Sequence, residues 1–330
     1  MLLDNLIKTD QPFVIAEIGN NHEGSLDLAI ELVDLAVKSK ADAVKFQTFI
    51  PELFQFPGDL ERFQKLSGFC LTFKEFEEIS SYCKTLNIPF ISTPLDFESL
   101  NFLSTISSAI KISSGDNNWV DFIETASKLE LPLLLSTGIS SNKIIKKSLL
   151  SAYKYKDPNE ICLMHCVSSY PVPEDHANIA QLNNLAQIHN GPIGYSDHTL
   201  GFSSAILSVG MGARIIEKHF TKDNNFSDFR DHKLALNPED FSSFVESLKA
   251  SSKNLSDSEY SEIELPLIEF VRRSPMAIAN ISKGQRITEE DIAWVRPLQS
   301  DLEYNFLKET PKYSDRDIQK NEILTSKDIK

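Results

Sequence analysis

The feature that most constrains this chain is an alternation of apolar strand and amphipathic helix that begins at Phe13 and recurs about eight times. Its first unit, Phe13 to Thr48, reads as strand, polar turn, helix and second strand. Ser25 stands where a helix cap is wanted, and Leu28, Leu32, Leu35 and Ala36 recur at the spacing of one buried face. Further strands are predicted at Pro89–Thr93, Ala109–Ser113, Pro132–Thr137, Ile161–Val167, Pro192–Tyr195 and Ala213–His219. Helical patterns such as Phe73–Leu86, Val120–Leu129 and Ile179–Ile188 lie between them, and Asn237 with Pro238 opens a last helix over Pro238–Lys253. Strands that each feed a helix pair in parallel, and eight such units close on themselves. The prediction is an α/β protein with a (β/α)8 TIM barrel over residues 1–255, a polar linker over 256–271, and a small domain over 272–330. Within that domain Ile281–Ile292 and Ile318–Ile329 form a faint internal repeat. Each copy is a lysine turn, a short β run and a capped helical start at Thr288 or Thr325.

Two residues of the first unit are out of place for a plain core. Glu17 and Lys45 sit alike on successive strands, and a buried charge is costly unless it serves a site. Most later strands also end in polar residues: Ser92-Thr93, Ser113-Ser114-Gly115-Asp116, Ser136-Thr137-Gly138, Ser168-Ser169-Tyr170, Ser196-Asp197-His198 and Glu217-Lys218-His219. Any one of these could be a turn. Their repetition marks the carboxyl edge of the barrel, where sites of this architecture lie.

The formal charge of −14 argues against nucleic acid or an anionic membrane as partner, while a few cations can still make a local pocket for a small anion. No apolar run approaches the roughly 20 residues that span a bilayer. The N-terminal stretch lacks a basic start followed by an apolar core, so no leader is expected and the cytoplasm is the expected compartment. Cys70, Cys83, Cys162 and Cys166 form no CxxC pair and read as core thiols.

His198 and His219 close the seventh and eighth predicted strands, so neighbouring strand ends would bring two imidazoles together, an arrangement suited to a divalent Lewis acid. Lys45 with the hydroxyls and amides of Ser92-Thr93, Ser113-Ser114-Gly115, Ser136-Thr137-Gly138 and Ser196 could cradle a phosphate. With no Walker or GxGxxG pattern, that phosphate belongs to a small substrate and not to a nucleotide.

The ordered motifs AEIGNNHEG, KFQT, STPLD, KISSGD, LSTG, HCVSSYP, GYSDHTLG and EKHFT resemble those of the sialic acid synthase family. That family includes N-acetylneuraminate synthase and its legionaminic and pseudaminic acid relatives. The segment RRSPMAIANISKGQRITEEDIAWVRP is similar to their C-terminal antifreeze-like (SAF) domain. The resemblance implies a transferase that condenses phosphoenolpyruvate with an open-chain N-acetylated hexosamine, giving a nine-carbon 2-keto acid and phosphate. It implies a divalent metal on His198 and His219, Mn2+ first, with Mg2+ or Co2+ as substitutes. Lys45, Thr93, Ser114, Ser136 and Ser196 match phosphoenolpyruvate contacts, and Glu17, Gln47, Asp116, Tyr170 and Asp231 match positions that handle sugar or water. Glu17, Asp116 and Lys45 would be the catalytic groups. Arg296 matches an arginine inserted into the partner's site of a domain-swapped homodimer. The chain departs from the family pattern at Asp116, where glutamate is usual, at Phe229-Arg230 before Asp231-His232, where Gly-Pro is usual, and at Leu298. Two alternatives stand beside this reading. One is another phosphoenolpyruvate-dependent aldol synthase; the other is a non-catalytic carbohydrate-binding protein, which the charged strand ends disfavour.

Overall fold

The computed structural model describes Leu3, residues 11–255 and residues 258–330. The chain divides into two compact units, Met1–Leu255 and Ser256–Lys330. In the first, eight parallel strands close a barrel in sequence order. These are β1 (Phe13–Gly19), β2 (Ala43–Thr48), β3 (Phe90–Pro94), β4 (Ile110–Ile112), β5 (Leu133–Ser136), β6 (Ile161–His165), β7 (Ile193–Asp197) and β8 (Ile215–His219). The ring is completed by pairing of β1 with β8, where Glu17 lies opposite His219.

Each strand is buried on both sides, as expected when helices cover a parallel sheet. Outward residues such as Val14, Ala16 and Ile18 pack under Ala29, Leu32, Val33 and Ala36 of α1 (Leu26–Lys38). The buried stripe of α1 is thus rotated from the expected one: Leu32 and Ala36 are buried, while Leu28 and Leu35 are only half-buried. Small alanines at the centre of the stripe let the helix approach the strands closely. Ser25 caps it by accepting from the Leu28 amide at 3.2 Å. The loop after β2 carries two helices absent from the sequence reading, α2 (Pro51–Phe54) and α3 (Leu60–Gly68), the second capped by Asp59. The barrel then continues with α4 (Phe73–Thr85), α5 (Phe97–Leu103), α6 (Val120–Ser127), α7 (Asn142–Ala152), α8 (Gln181–Ile188) and α9 (Ser203–Gly210). After β8 come the short α10 (Arg230–Leu234) and α11 (Pro238–Lys253). The last has the expected bounds, with Asn237 accepting from the Glu239 and Asp240 amides.

The second unit is a small β structure built around the internal repeat. Strand β9 (Ser274–Ala277) pairs antiparallel with β11 (Ile292–Val295), and β10 (Arg286–Ile287) with β12 (Lys312–Tyr313). Ile281 and Ile318, equivalent positions of the two copies, exchange backbone hydrogen bonds of 2.9 and 2.8 Å. The capped starts are single 3-10 turns: Thr288 and Thr325 each donate to the aspartate three residues on, at 2.8 Å. Ala277, Ile281, Ile287, Ile292, Ile318 and Leu324 form the core. The stretch read as linker holds a 3-10 turn at Leu265–Leu267 and the helix α12 (Ile268–Val271). Among the described residues no helix is long and apolar enough to cross a membrane.

Candidate active site

Alternation along the strands assigns the inward side chains to layers. The lowest layer is apolar: Ile15, Ala43, Ile91, Ala109, Leu134, Cys162 and Ile215. Two residues further on, the inward positions become Glu17, Lys45, Thr93, Lys111, Ser136, Ser196 and Glu217, all buried. Above them stand Gln47, Cys166, His198 and His219. These residues line a cavity of about 730 Å³ at the carboxyl mouth of the barrel. All twelve site residues proposed from the first 255 positions line it: Glu17, Lys45, Gln47, Thr93, Ser114, Asp116, Ser136, Tyr170, Ser196, His198, His219 and Asp231. Arg296 belongs to the second unit, where it is exposed just after β11.

The floor of the cavity is a buried charge network. The Lys45 ammonium is 2.7 Å from Glu17 Oε2 and 3.8 Å from Glu217 Oε1, and donates to Thr93 Oγ1 at 3.1 Å. Lys111 donates to Glu217 Oε2 at 2.7 Å, and Ser196 donates to its other oxygen at 2.9 Å. Burying four charges is costly, and mutual pairing offsets that cost. The two carboxylates are driven apart in acidity. Burial raises the pKa of Glu17, and although Lys45 pulls it down, the charge of Glu217 adds to the rise. Burial acts the same way on Glu217, but Lys111 and Lys45 outweigh it and hold that carboxyl well below the usual range. Lys45 loses affinity for its proton through burial and regains more from Glu17 and Glu217, so its pKa is raised. Lys45 and Lys111 place two ammoniums at the floor, a local positive charge suited to a small anion.

His198 and His219 stand above the floor with ring centroids 5.6 Å apart. His198 Nδ1 lies 2.8 Å from the Val167 carbonyl, an acceptor only, so Nδ1 carries the proton and Nε2 keeps its lone pair. His219 has a buried Nδ1 with no hydrogen-bond partner. Burial lowers both, His198 to about 4 with His219 contributing, so both are neutral near pH 7. Two neutral imidazoles, one oriented by a carbonyl and one with an unsatisfied nitrogen, fit a divalent cation. Among the described residues no three His, Cys, Asp or Glu side chains converge on such a point. Most coordination positions would therefore fall to substrate oxygens and water, as a Lewis-acid role requires.

The hydroxyl side of the cavity is formed by the β4, β5 and β6 ends. Ser114 Oγ accepts from the Gly138 amide at 3.2 Å and lies 3.0 Å from Cys166 Sγ. Cys166 is thus a cavity thiol, whereas Cys83 and Cys162 lie in the core. On the opposite side Gln47 donates to Glu17 Oε1 at 3.2 Å and accepts from Asn20 at 3.1 Å. Asp116, raised in pKa by burial, accepts from Ser113 at 2.6 Å. Tyr170 packs against His198 with centroids 4.3 Å apart, and burial raises its pKa.

Sequence reasoning passed over one member of the floor, Lys111, and named another, Glu217, only within a polar strand end and with no role of its own. Both are charged residues inside apolar runs, the signal that marked Glu17 and Lys45, but β4 is only three residues long and Lys111 contacts Glu217 from across the barrel. The strand-end motifs also mix two roles. Asp197 and Lys218 point outward, fully buried, with Lys218 donating to Asp197 at 2.8 Å and to the Thr199 carbonyl at 2.6 Å. That pair fixes the loop carrying His198 instead of lining the cavity. His22 is likewise structural: its Nδ1 accepts from the Gly24 backbone amide at 3.2 Å, while Asn21 Nδ2 donates to the Phe220 carbonyl at 2.9 Å and ties this turn down. Gly24, at φ +77°, could carry no Cβ, which would come 2.3 Å from the Gly68 carbonyl oxygen.

A parallel barrel with two carboxyls, two lysines and two histidines at its carboxyl mouth is the site of an enzyme. Residues 32–260 match the family model described as the NeuB family, and the chain belongs to that family. It is 34% identical over 304 residues to the N,N'-diacetyllegionaminic acid synthase of Legionella pneumophila, covering 86% of this chain and 85% of that one. It is 29% identical over 346 residues to a pseudaminic acid synthase of Campylobacter jejuni, with both chains covered in full. Among solved structures it is similar to the N-acetylneuraminic acid synthetase of Leptospira borgpetersenii, crystallised with citrate. That likeness has a TM-score of 0.75 at 34% identity, over 79% of this chain and 91% of the other.

Proposed function

We propose that this enzyme is a nonulosonic acid synthase. It joins phosphoenolpyruvate to an open-chain N-acetylated hexosamine and releases a nine-carbon 2-keto acid and phosphate. The observation that carries this reading is the paired floor, two lysines held by Glu17 and Glu217 beneath two neutral imidazoles. Phosphoenolpyruvate brings a phosphate and a carboxylate, and Lys45 and Lys111 offer one ammonium to each beside the hydroxyls of Thr93, Ser114, Ser136 and Ser196.

In the reaction C3 of phosphoenolpyruvate bonds to the acceptor's aldehyde carbon, and positive charge develops at C2. Water adds to C2, the bond from C2 to the bridging oxygen breaks, and phosphate leaves with that oxygen. Of the two protons of water, one ends on the new alcohol and one on phosphate. Glu17, with its raised pKa, is the group suited to carry a proton to the alkoxide or take one from the water. Glu217 stays ionised and holds both ammoniums in position. A divalent ion, Mn2+ or a substitute such as Mg2+ or Co2+, would be held by His198 and His219 and would supply polarisation of the aldehyde oxygen. Gln47, Asp116, Tyr170 and Asp231 face the remainder of the acceptor.

The second unit is read as the antifreeze-like domain of the family, and Arg296 as a residue that completes the acceptor site of a partner subunit in a homodimer. The test of the synthase reading is phosphate release. Incubation with phosphoenolpyruvate, Mn2+ and either N-acetylmannosamine or a diacetamido hexose should give phosphate and 2-keto acid in equal amounts, and chelation should abolish both. Acceptor-independent release, or full activity after chelation, would count against it.

A further inference from the structure

The turn after β1 and the loop after β8 meet at Glu23. Ser227 donates to Glu23 Oε1 and accepts from the Phe229 amide at 3.0 Å. His232 Nε2 lies 3.3 Å from the same carboxylate oxygen, and its Nδ1 is 2.7 Å from Thr221 Oγ1, just past β8. The imidazole is buried against Phe226, with ring centroids 5.2 Å apart, and Asn224 donates to the His232 and Ala235 carbonyls at 2.9 and 2.6 Å. Glu23 itself has φ +46°, a conformation that costs any residue with a Cβ and persists only where its surroundings fix it. Glu23, Ser227 and His232 stand outside the cavity, whereas Phe229, Arg230 and Asp231, on the stretch between Ser227 and His232, line it.

Resting on the synthase reading above, we infer that Glu23 is a positioning residue: through Ser227 and His232 it clasps the loop after β8 so that Asp231 is held ready at the cavity. The stretch from Ser227 to His232 is tied at both ends to one carboxylate, so its middle cannot swing away without breaking a tie. With the clasp cut, the loop samples other arrangements, and apparent affinity for the acceptor falls with the fraction still in place. The floor charges pair among themselves and need no support from the clasp. Its loss therefore reaches the acceptor and spares phosphoenolpyruvate.

The test measures phosphate release by Glu23→Ala, Glu23→Gln and Ser227→Ala, with KM and kcat/KM read for phosphoenolpyruvate and for N-acetylmannosamine or a diacetamido hexose. Glu23→Ala should lose roughly 10- to 100-fold in kcat/KM for the acceptor, the scale of a hydrogen bond to a charged group, with KM for phosphoenolpyruvate little changed. Glu23→Gln, which keeps an oxygen to accept from Ser227, should recover most of that loss. Ser227→Ala, a smaller change at the other end of the tie, should repeat the selective loss, so the test stands even if Glu23→Ala fails to fold. In an Asp231→Ala background Glu23→Ala should cost little more, because the side chain it positions is gone. A loss shared equally by both substrates, or one that adds in full to that of Asp231→Ala, would overturn the clasp while leaving the synthase reading in place. Absence of phosphate release by the parent enzyme with either acceptor would overturn the synthase reading and this inference together.

Discussion

Lys45→Met removes one ammonium from the floor and keeps the aliphatic stem, so it isolates the charge. In the resting site that ammonium sits 2.7 Å from Glu17 and 3.8 Å from Glu217. At such distances and an effective dielectric of about 20, a pair of unit charges interacts by about 4–6 kcal/mol. Desolvation consumes part of this, and truncating one member of a buried charge pair costs about 2–5 kcal/mol. Lys111 remains as the second cation, 2.7 Å from Glu217, which places the loss near the middle of that range, about 3 kcal/mol. KM for phosphoenolpyruvate should rise by roughly two powers of ten, with the acceptor KM shifting much less. The fold should survive, because Glu17, already raised in pKa, can take a proton once its partner is gone. Initial rates of phosphate release against each substrate in turn, with the other saturating, give both constants. A variant in which only the acceptor KM moves would place Lys45 on the sugar side and refute the assignment of the floor.

Two further outcomes are expected. His22 is buried and its pKa is lowered by burial to about 4 from an ordinary 6.5, so the unfolded chain binds a proton that the folded one refuses between those values. Stability from this group is therefore intact above pH 6.5 and lost as pH falls toward 4, by about 2 kcal/mol between pH 7 and pH 5. Urea midpoints of His22→Gln should flatten over that interval relative to the parent, and an equal slope would contradict the account of His22. For Arg296, an Arg296→Ala chain mixed with a Glu17→Gln chain should regain one wild-type site per heterodimer if the arginine acts in the partner's site. Absence of recovery in heterodimers shown to form would refute that placement.

The barrel was legible in the sequence because its strands and its capped helices are signalled locally: Ser25 and Asn237 cap as their positions demand, and apolar runs mark all eight strands. Strand ends differed by one or two residues, which matters little. Less legible was which strand-end residues share a surface. Ser196, His198, Glu217 and His219 turn inward while Asp197 and Lys218 turn outward, a division set by alternation once the register of β7 and β8 is known. The contact of Lys111 with Glu217 joins residues 106 apart across the barrel and leaves no local trace. The helix α3 left no clear trace either, because none of its residues is buried and so no apolar face sets it apart from a loop.

The central claim is that this enzyme forms a carbon–carbon bond from C3 of phosphoenolpyruvate and then expels phosphate from C2 after water has added there. Phosphoenolpyruvate labelled with oxygen-18 at the bridge between C2 and phosphorus tests this directly, with mass spectrometry of both products. The account predicts that the label leaves with phosphate and that the keto oxygen of the nine-carbon acid comes from water. Label retained in the sugar acid would mean that the phosphorus–oxygen bond breaks instead, and would contradict it.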